Sequence, residues 1–218
     1  MRIGSRDFAT TGHTYIMGIL NVTPDSFSDG GKFNQIDAAL KHAEEMIRDG
    51  ADVIDIGGES TRPGYTKISD EEETDRVVPV IEAVKKEFGI PISVDTYKSG
   101  VAEAAAQAGA DLINDIWGLK YDPHMSEVIA KSGLACCLMH NRDNTEYRNF
   151  MEDVKQDLRE TIALAKAAGI ADDKIILDPG VGFAKSYENN LEVIRRLKEF
   201  NELKYPVLLG TSRKSVIG

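Results

Sequence analysis

Short apolar runs alternate along the chain with longer stretches in which apolar residues recur at helical spacing. The runs show no alternation of apolar and polar positions, which is typical of strands buried on both faces of a parallel sheet. Between them, one helical face collects apolar residues such as Ile36, Leu40, Ala43 and Ile47. The pattern predicts a parallel α/β fold with seven strands, at Tyr15–Leu20, Val53–Ile56, Ile92–Val94, Leu112–Ile113, Leu134–Met139, Ile175–Leu177 and Val207–Leu209.

Capping residues mark the expected helix boundaries. Ser69 followed by Glu72 has the spacing of a capping box, in which each side chain satisfies a backbone N–H group of the first turn. Glycine accepts the left-handed conformation of a helix C-terminus without steric penalty. Four predicted helices end at such a residue, namely Gly50, Gly89, Gly109 and Gly169.

Polar residues follow the carboxyl ends of the runs, and their placement favours one of two parallel folds. In a (β/α)8 barrel all strand ends converge on one mouth, whereas a doubly wound open sheet brings together those beside its switch point. We therefore predict a TIM barrel, formed as a single domain over residues 1–218. The polar positions are Asn21, Asp55, Asp95, Asn114 with Asp115, His140 with Asn141, Asp178, and Ser212 to Lys214.

The number of predicted strands falls one short of a closed barrel. A complete barrel of this class contains about 250 residues, whereas the sequence has 218. We therefore expect that a final helix, strand and helix are missing after Gly218. An open or split barrel is the competing expectation.

Composition and charge narrow the class of partner. Hydrophobic residues make up 42% of the chain and charged residues 28%, which is typical of a soluble globular protein. The net charge of −10 argues against a nucleic-acid groove and against an anionic membrane surface. Cys136 and Cys137 are adjacent within an apolar run, which indicates buried thiols of a reducing compartment. We expect a cytoplasmic protein without a membrane-spanning segment.

Two long glycine-rich loops follow the first two predicted strands, at residues 21–31 and 57–64. Their Asn, Asp, Ser, Gly and Pro residues also suit ordinary turns. However, both are longer than a barrel requires, and each contains a large side chain, Phe27 or Arg62, among small ones. That arrangement favours loops that cover a substrate.

Asp95, Asn114 and Asp178 end three of the predicted strands. A fused aminopyrimidinone ring presents adjacent N–H donors, which an ionised carboxylate accepts in bidentate fashion, and an amide suits an edge with both donors and acceptors. Each residue taken alone could equally be a helix N-cap. Their repetition on several strands favours a binding site for such a ring.

Two further segments offer ligand contacts. Gly210–Ser215 presents two cations and three hydroxyl groups at a predicted helix start, which suits a phosphate or carboxylate, although a solvated basic turn is the alternative. Phe183 follows two glycines and either stacks on a planar ligand or packs on the barrel rim. The role of His140 stays open, because no partner for a catalytic triad is evident from the sequence.

These blocks resemble the dihydropteroate synthase family over nearly the whole chain. The two loop regions are the most specific, and the other matching blocks occur in the expected order at Val94–Thr96, Ile113–Asp115, Leu138–His140, Leu177–Phe183 and Gly210–Ser215. The resemblance implies a TIM-barrel enzyme of folate biosynthesis that is a target of sulfonamides. In this reaction the arylamine of para-aminobenzoate displaces pyrophosphate from 6-hydroxymethyl-7,8-dihydropterin pyrophosphate, with Mg²⁺, and 7,8-dihydropteroate is formed.

The resemblance also implies roles at individual positions. Asp95, Asn114 and Asp178 would hold the pterin edge, and Lys214 would contact the ring and its developing charge. Asp29 would lie near the reacting carbon and amine, so that Lys214, Asp95 and Asp29 form the expected catalytic group. The mechanism expected from this resemblance is dissociative, and it needs no strong base because a neutral arylamine is already nucleophilic.

The remaining implied contacts concern the metal and the second substrate. Asn21 would be a ligand of the Mg²⁺ that carries the pyrophosphate. Para-aminobenzoate would be surrounded by Phe27, Thr61, Arg62, Pro63, Phe183, Lys214 and Ser215. The family has a further strand ending in Arg-x-His that binds pyrophosphate, and the sequence stops before it, so we expect weak turnover from these 218 residues alone. A homodimer is expected for the full-length protein.

Two other functions stay open at this point. A pterin-dependent methyltransferase would share the barrel and the carboxylates, but it has no need for the loop at 21–31 or for the Ser-Arg-Lys-Ser segment. A non-catalytic pterin-binding fragment would bind the ring without releasing pyrophosphate.

Overall fold

The computed structural model describes residues 1–23, 32–60 and 66–217. Its strands are β1 (Arg2–Ile3), β2 (Arg6–Asp7), β3 (Met17–Asn21), β4 (Val53–Gly57), β5 (Ile92–Asp95), β6 (Leu112–Asp115), β7 (Ala135–Met139) and β8 (Ile175–Asp178). Its α-helices are α1 (Lys32–Arg48), α2 (Asp70–Phe88), α3 (Ser99–Ala108), α4 (Met125–Ser132), α5 (Phe150–Ala167) and α6 (Tyr187–Arg195). Two 3-10 segments lie at Asp172–Lys174 and Leu197–Leu203.

The main sheet follows the order of the chain. Strands β3 to β8 are parallel and pair in the order β3-β4-β5-β6-β7-β8. Beyond β8, Val207 forms a parallel bridge to Leu177, and the N–H group of Leu208 donates to the carbonyl of Leu177 over 2.9 Å. The seventh predicted run therefore occupies the next place in the sheet as a bridge rather than a full strand. This sequential parallel order, with helices between the strands, makes the described chain a partial (β/α) barrel.

Apolar side chains fill the space between the sheet and its helices. Ile54, Ile56, Val94 and Leu138 are buried in one large cluster that also contains helix residues such as Val77 of α2. Because alternate side chains of a strand point to opposite faces, the same strands send their other residues into the barrel interior. The predicted double-sided burial is confirmed for β4 to β8 but not for β3, where Ile19 is 49% exposed.

An antiparallel hairpin of β1 and β2 precedes the barrel, and the apolar pattern did not predict it. Ile3 and, just after the hairpin, Phe8 are buried against the first residues of several barrel strands, Val53, Leu112 and Ala135. The hairpin segment therefore closes the amino end of the barrel, opposite the strand ends that carry the predicted site.

The predicted helix boundaries are confirmed by backbone geometry. Ser69 lies before α2, and its hydroxyl accepts the N–H group of Glu72 over 3.1 Å. Positive φ angles occur at the four predicted glycines that follow helices, Gly50, Gly89, Gly109 and Gly169. None of the helices within the described ranges is long and apolar enough to cross a membrane.

Within Gly210–Ser215, where a helix start was predicted, no α-helix begins before Lys214; a start at Lys214 or Ser215 stays a prediction, because its first bond between residues four apart lies outside the described residues. From Thr211 to Ile217 the backbone forms turns, in which Lys214 N–H donates to Thr211 and Ile217 N–H donates to Lys214. These are bonds between residues three apart, whereas an α-helix needs bonds between residues four apart. Arg213 also has a φ of +53°, which interrupts a right-handed helix.

Candidate active site

The barrel interior changes from apolar to polar along the strands. Val53, Leu112 and Ala135, at the amino ends, belong to the apolar cluster closed by the hairpin. Toward the carboxyl ends, register places Asp55 beside Ser93 and Asp95 beside Asn114. The result is a polar layer above an apolar floor, formed by Asp55, Ser93, Asp95, Asn114 and, on β8, Asp178.

Asp95 ends β5 with a carboxyl group that is poorly solvated. Burial raises its pKa well above the ordinary value, and the neighbouring carboxylates of Asp55 and Glu73 raise it further, while Lys214 opposes them. Its Oδ1 atom is buried and has no hydrogen-bond partner in the described part of the chain. Because an unsatisfied buried acceptor is costly, Asp95 is suited to accept a donor from a ligand.

Asn114 ends β6 close to a second buried acid. Its Nδ2 group donates to Oδ2 of Asp55 over 3.2 Å, and this contact crosses the intervening strand β5. Asp55 is 5% exposed, and burial raises its pKa. With one N–H used in this way, the amide of Asn114 retains its carbonyl oxygen and its second N–H for a mixed edge of a ligand.

Asp178 ends β8 and organises the turn that follows it. It is 6% exposed, and burial raises its pKa to about 6. Its Oδ1 accepts the N–H group of Gly180 over 2.7 Å, and its backbone carbonyl accepts the N–H group of His140 over 2.8 Å. Gly210 lies nearby and has no side chain; a Cβ atom at this position would lie 3.6 Å from Oδ2 of Asp178. This leaves Oδ2 approachable from the rim.

Lys214 belongs to the turn at the rim and influences the pKa of both acids. Burial lowers its pKa, whereas Asp178 and Asp95 raise it. Its Nζ atom lies 4.1 Å from the centre of the Phe183 ring. Gly182 has a φ of +84°, and a Cβ atom there would approach Cδ of Lys214 to 2.9 Å, so glycine allows this close packing. The predicted residues Asp95, Asp178, Lys214 and Phe183 therefore converge.

Asn21 and Ser215 are the remaining predicted site residues that the structure describes. Asn21 ends β3 with an exposed side chain, and Ser215 is exposed beside Lys214. A Cβ atom at Gly57 would lie 3.5 Å from Oδ1 of Asn21 and 3.6 Å from Oδ2 of Asp95. Since a side chain at position 57 would fill the space between these two oxygen atoms, glycine keeps it open.

Five predicted residues lie outside the described ranges. Asp29 belongs to this group, and so do the predicted para-aminobenzoate contacts Phe27, Thr61, Arg62 and Pro63. Their roles stay predictions from the sequence.

Sequence reasoning missed two buried networks beside the rim. His140 has partners on both ring nitrogens, Asp157 from α5 and Lys185 from the turn after β8. Lys98, after β5, forms ion pairs with Glu59 over 2.9 Å and with Glu73 over 2.7 Å. A buried Lys or His at a strand end was the available signal, but the partners come from distant segments and no spacing rule identifies them.

Comparison with known proteins was consistent with this geometry. Residues 17–218 match the family described as pterin binding enzyme. A curated dihydropteroate synthase from Clostridium beijerinckii is 64% identical over 218 residues, which are 100% of this chain and 81% of that protein.

Two solved structures give the same result. A dihydropteroate synthase from Clostridium difficile, solved with pteroic acid, superposes with a TM-score of 0.92 at 53% identity, over 100% of this chain and 81% of that one. A Yersinia pestis dihydropteroate synthase, solved with a sulfonamide drug complex, has a TM-score of 0.92 at 44% identity, with the same 100% and 81% coverage.

A parallel barrel whose rim gathers buried carboxylates, an amide and a lysine defines a pterin-binding class of enzyme. The chain belongs to the pterin-binding enzyme family and, within it, to the dihydropteroate synthases.

Proposed function

We propose that this rim joins para-aminobenzoate to 6-hydroxymethyl-7,8-dihydropterin pyrophosphate, giving 7,8-dihydropteroate and pyrophosphate in folate biosynthesis. The observation that carries the proposal is the convergence of Asp95, Asp178 and Lys214 in one polar layer above an apolar floor. The family membership supports the same reaction.

The pterin is held by its hydrogen-bonding edge. Oδ2 of Asp178 and Oδ1 of Asp95 offer acceptors to ring and amino N–H groups, and the Asn114 amide matches an edge with both donors and acceptors. The low exposure of these groups strengthens each contact, because water does not compete for the same atoms.

The chemical step exchanges one bond at the pterin methylene carbon. Its carbon–oxygen bond to pyrophosphate breaks, the arylamine nitrogen forms the new carbon–nitrogen bond, and the proton lost by the amine passes to the departing pyrophosphate or to solvent. Positive charge on the methylene is delocalised into the ring, where the Asp95 carboxylate stabilises it when ionised. Lys214 is proposed to contact the pterin ring. Phe183, whose ring centre lies 4.1 Å from Nζ of Lys214, is proposed to pack against the aryl group. Positioning and electrostatics supply the catalysis.

Mg²⁺ is proposed to bind with the pyrophosphate. Asn21 offers an oxygen donor beside the space that Gly57 leaves open, and hard oxygen donors suit this ion. Among residues 1–23, 32–60 and 66–217 there is no group of three His, Cys, Asp or Glu side chains that could hold a metal. This is compatible with an ion held largely by phosphate oxygens and water. When bound, Mg²⁺ neutralises the charge of the leaving pyrophosphate.

The test measures dihydropteroate and pyrophosphate formed from the two purified substrates. Both products are expected in equal amounts, and Lys214→Ala should lower turnover by about a hundredfold because a preorganised charge at the ring is lost. Lys166→Met, an exposed change on α5, is the matched control. Pterin binding without pyrophosphate release would favour a non-catalytic function. Thermal stabilisation by a methyl-folate, but not by the pterin pyrophosphate, would favour a methyltransferase.

The proposal also includes the cellular location of the protein and its oligomeric state. The free and buried thiols of Cys136 and Cys137 support a cytoplasmic location. The resemblance supports a homodimer for the full-length protein, which light scattering after size-exclusion chromatography tests directly.

A further inference from the structure

His140 connects α5 to the turn that follows β8. Its ring is fully buried, and Nε2 lies 2.9 Å from Oδ2 of Asp157 on α5. On the other side of the ring, Nδ1 lies 2.8 Å from Nζ of Lys185. Arg142 also donates to Oδ2 of Asp157, so the carboxylate is held from two directions.

The protonation state of this chain of contacts follows from its surroundings. Hydrogen bonds from His140 and Arg142 hold the pKa of Asp157 well below its usual range even though burial opposes them. Burial lowers the pKa of His140 to about 4, so the ring is neutral near pH 7. A carboxylate can only accept, which assigns the ring proton to Nε2 and leaves Nδ1 as the acceptor for Lys185.

Lys185 reaches from this ring to the substrate rim. Its Nζ group donates to the carbonyl oxygen of Phe183 over 3.0 Å. The turn packs against the network at Gly180, where φ is +71° and a Cβ atom would lie 2.0 Å from the carbonyl oxygen of His140. That distance excludes any side chain at Gly180. Further along the turn, the N–H group of Gly182 donates to Oδ1 of Asn190 over 2.7 Å, and Lys185 is the side chain that holds the carbonyl of Phe183.

We infer that Lys185, oriented by His140 and Asp157, is a positioning residue that fixes the Phe183 carbonyl and thereby holds the Phe183 ring beside Lys214. The inference rests on the proposed function, because Phe183 is placed there against para-aminobenzoate. Asp95 and Asn114 lie on other strands and do not depend on this contact. Asp178 keeps its own bond to the N–H group of Gly180 and loses only the nearby charge of Lys185. Loss of Lys185 should therefore impair the arylamine more than the pterin.

The first experiment compares Lys185→Met with wild type and with Lys166→Met, in steady-state assays that vary each substrate in turn. Lys185→Met keeps the apolar stem but removes the donor. We expect the KM for para-aminobenzoate to rise about tenfold, since small displacements of a contact surface have effects of this size. The KM for the pterin pyrophosphate should rise by a smaller factor, since Asp178 loses a nearby cation but keeps its position, and Lys166→Met should match wild type.

A second pair of variants separates positioning from a purely structural role. In His140→Asn the amide oxygen takes the place of Nδ1 and can still accept from Lys185. In His140→Gln the amide nitrogen takes the place of Nε2, which retains the contact with Asp157 but not that with Lys185. We expect near-normal KM for para-aminobenzoate in the Asn variant and a raised value in the Gln variant, although both lower the Tm.

The outcomes are distinct. Equal KM values for para-aminobenzoate in wild type and in Lys185→Met would overturn the inference. If Lys185→Met does not fold, equal KM values for para-aminobenzoate in His140→Asn and His140→Gln would overturn it instead. Failure of the wild-type protein to form dihydropteroate would instead refute the proposed function.

Discussion

Asp178, in the proposed pterin site, shows how burial changes the titration of a single side chain. Its raised pKa of about 6 means that the carboxyl begins to protonate within the range of ordinary assays. A protonated carboxyl loses its ability to accept two adjacent N–H donors. The affinity for a pterin should therefore depend on pH in a range where a solvated aspartate would stay ionised.

We predict that pterin affinity falls as the pH decreases through 6, by about tenfold for each pH unit once the carboxyl is mostly protonated. Isothermal titration calorimetry with a pterin between pH 5 and 8 measures this dependence. Asp178→Asn should bind weakly at every pH and show a flatter profile. A wild-type affinity that is constant over this range would contradict the assigned contact.

The same carboxyl should lower the stability of the unliganded protein. Its folded pKa of about 6 lies above the ordinary aspartate pKa of 3.8, so the folded state holds more protons than the unfolded chain between these values. Stability contributed by this group is therefore lost as the pH rises through that window. At pH 8, Asp178→Asn should raise the free energy of unfolding by roughly 3 kcal/mol, measured by urea denaturation, whereas at pH 3.5 the gain should vanish.

At the scale of elements, the connection from β4 to α2 is held by buried charges at both of its described ends. Oε2 of Glu59 accepts the N–H group of Ile68 over 2.8 Å, and Lys98 donates to the carbonyl of Ile68 over 2.8 Å. The hydroxyl of Tyr97 donates to Glu59, and Glu73 of α2 pairs with Lys98. One lysine thus compensates two carboxylates that are almost inaccessible to water.

Removing that lysine should destabilise the fold strongly. Lys98→Met leaves Glu59 and Glu73 buried without a cation, and breaking such a network costs about 3–5 kcal/mol. Urea denaturation measures the loss, and Lys166→Met, whose pair with Asp172 is exposed, should change stability by less than about 0.5 kcal/mol. Adding Glu73→Gln to Lys98→Met should recover part of the loss. A similar loss of unfolding free energy in Lys98→Met and Lys166→Met would show that the buried network contributes no more to stability than a surface ion pair.

At the scale of the whole molecule, the sequence predicted those features that depend on local periodicity or on strand order. The apolar runs located the barrel strands, and the polar residue after each run located Asp95, Asn114 and Asp178, because parallel strands share one carboxyl edge. Asp95 and Asp178 both raise the pKa of Lys214, which supports the expected convergence of the three residues, while their roles toward a ligand stay predictions.

Features that depend on packing between distant segments were not predictable in this way. The strands of the amino-terminal hairpin have two residues each, too few to show a period. His140 and Asp157 are 17 residues apart across a loop, and their contact depends on how α5 packs against β7. Near Arg213, the cations and hydroxyls that indicated a helix start are equally compatible with the turns that form there.

The two ends of the barrel should respond differently to mutation. Phe8 is 7% exposed at the amino end, within the cluster that closes the barrel floor, and its ring lies 4.7 Å from that of Tyr15. Replacing it by alanine removes buried apolar surface and leaves a cavity, which costs about 3–5 kcal/mol. Because the polar layer at the opposite end loses no contact, Phe8→Ala should leave both KM values within about twofold at temperatures where the protein stays folded.

Thermal denaturation and steady-state kinetics on the same preparations test this separation. Tyr187→Ala, at a ring that is 58% exposed, is the matched aromatic control and should leave stability within about 0.5 kcal/mol of wild type. A rise in either KM for Phe8→Ala that persists well below its Tm would mean that the hairpin influences the rim through the barrel interior. The polar layer would then depend on the floor beneath it, and the amino-terminal hairpin would belong to the functional part of the molecule.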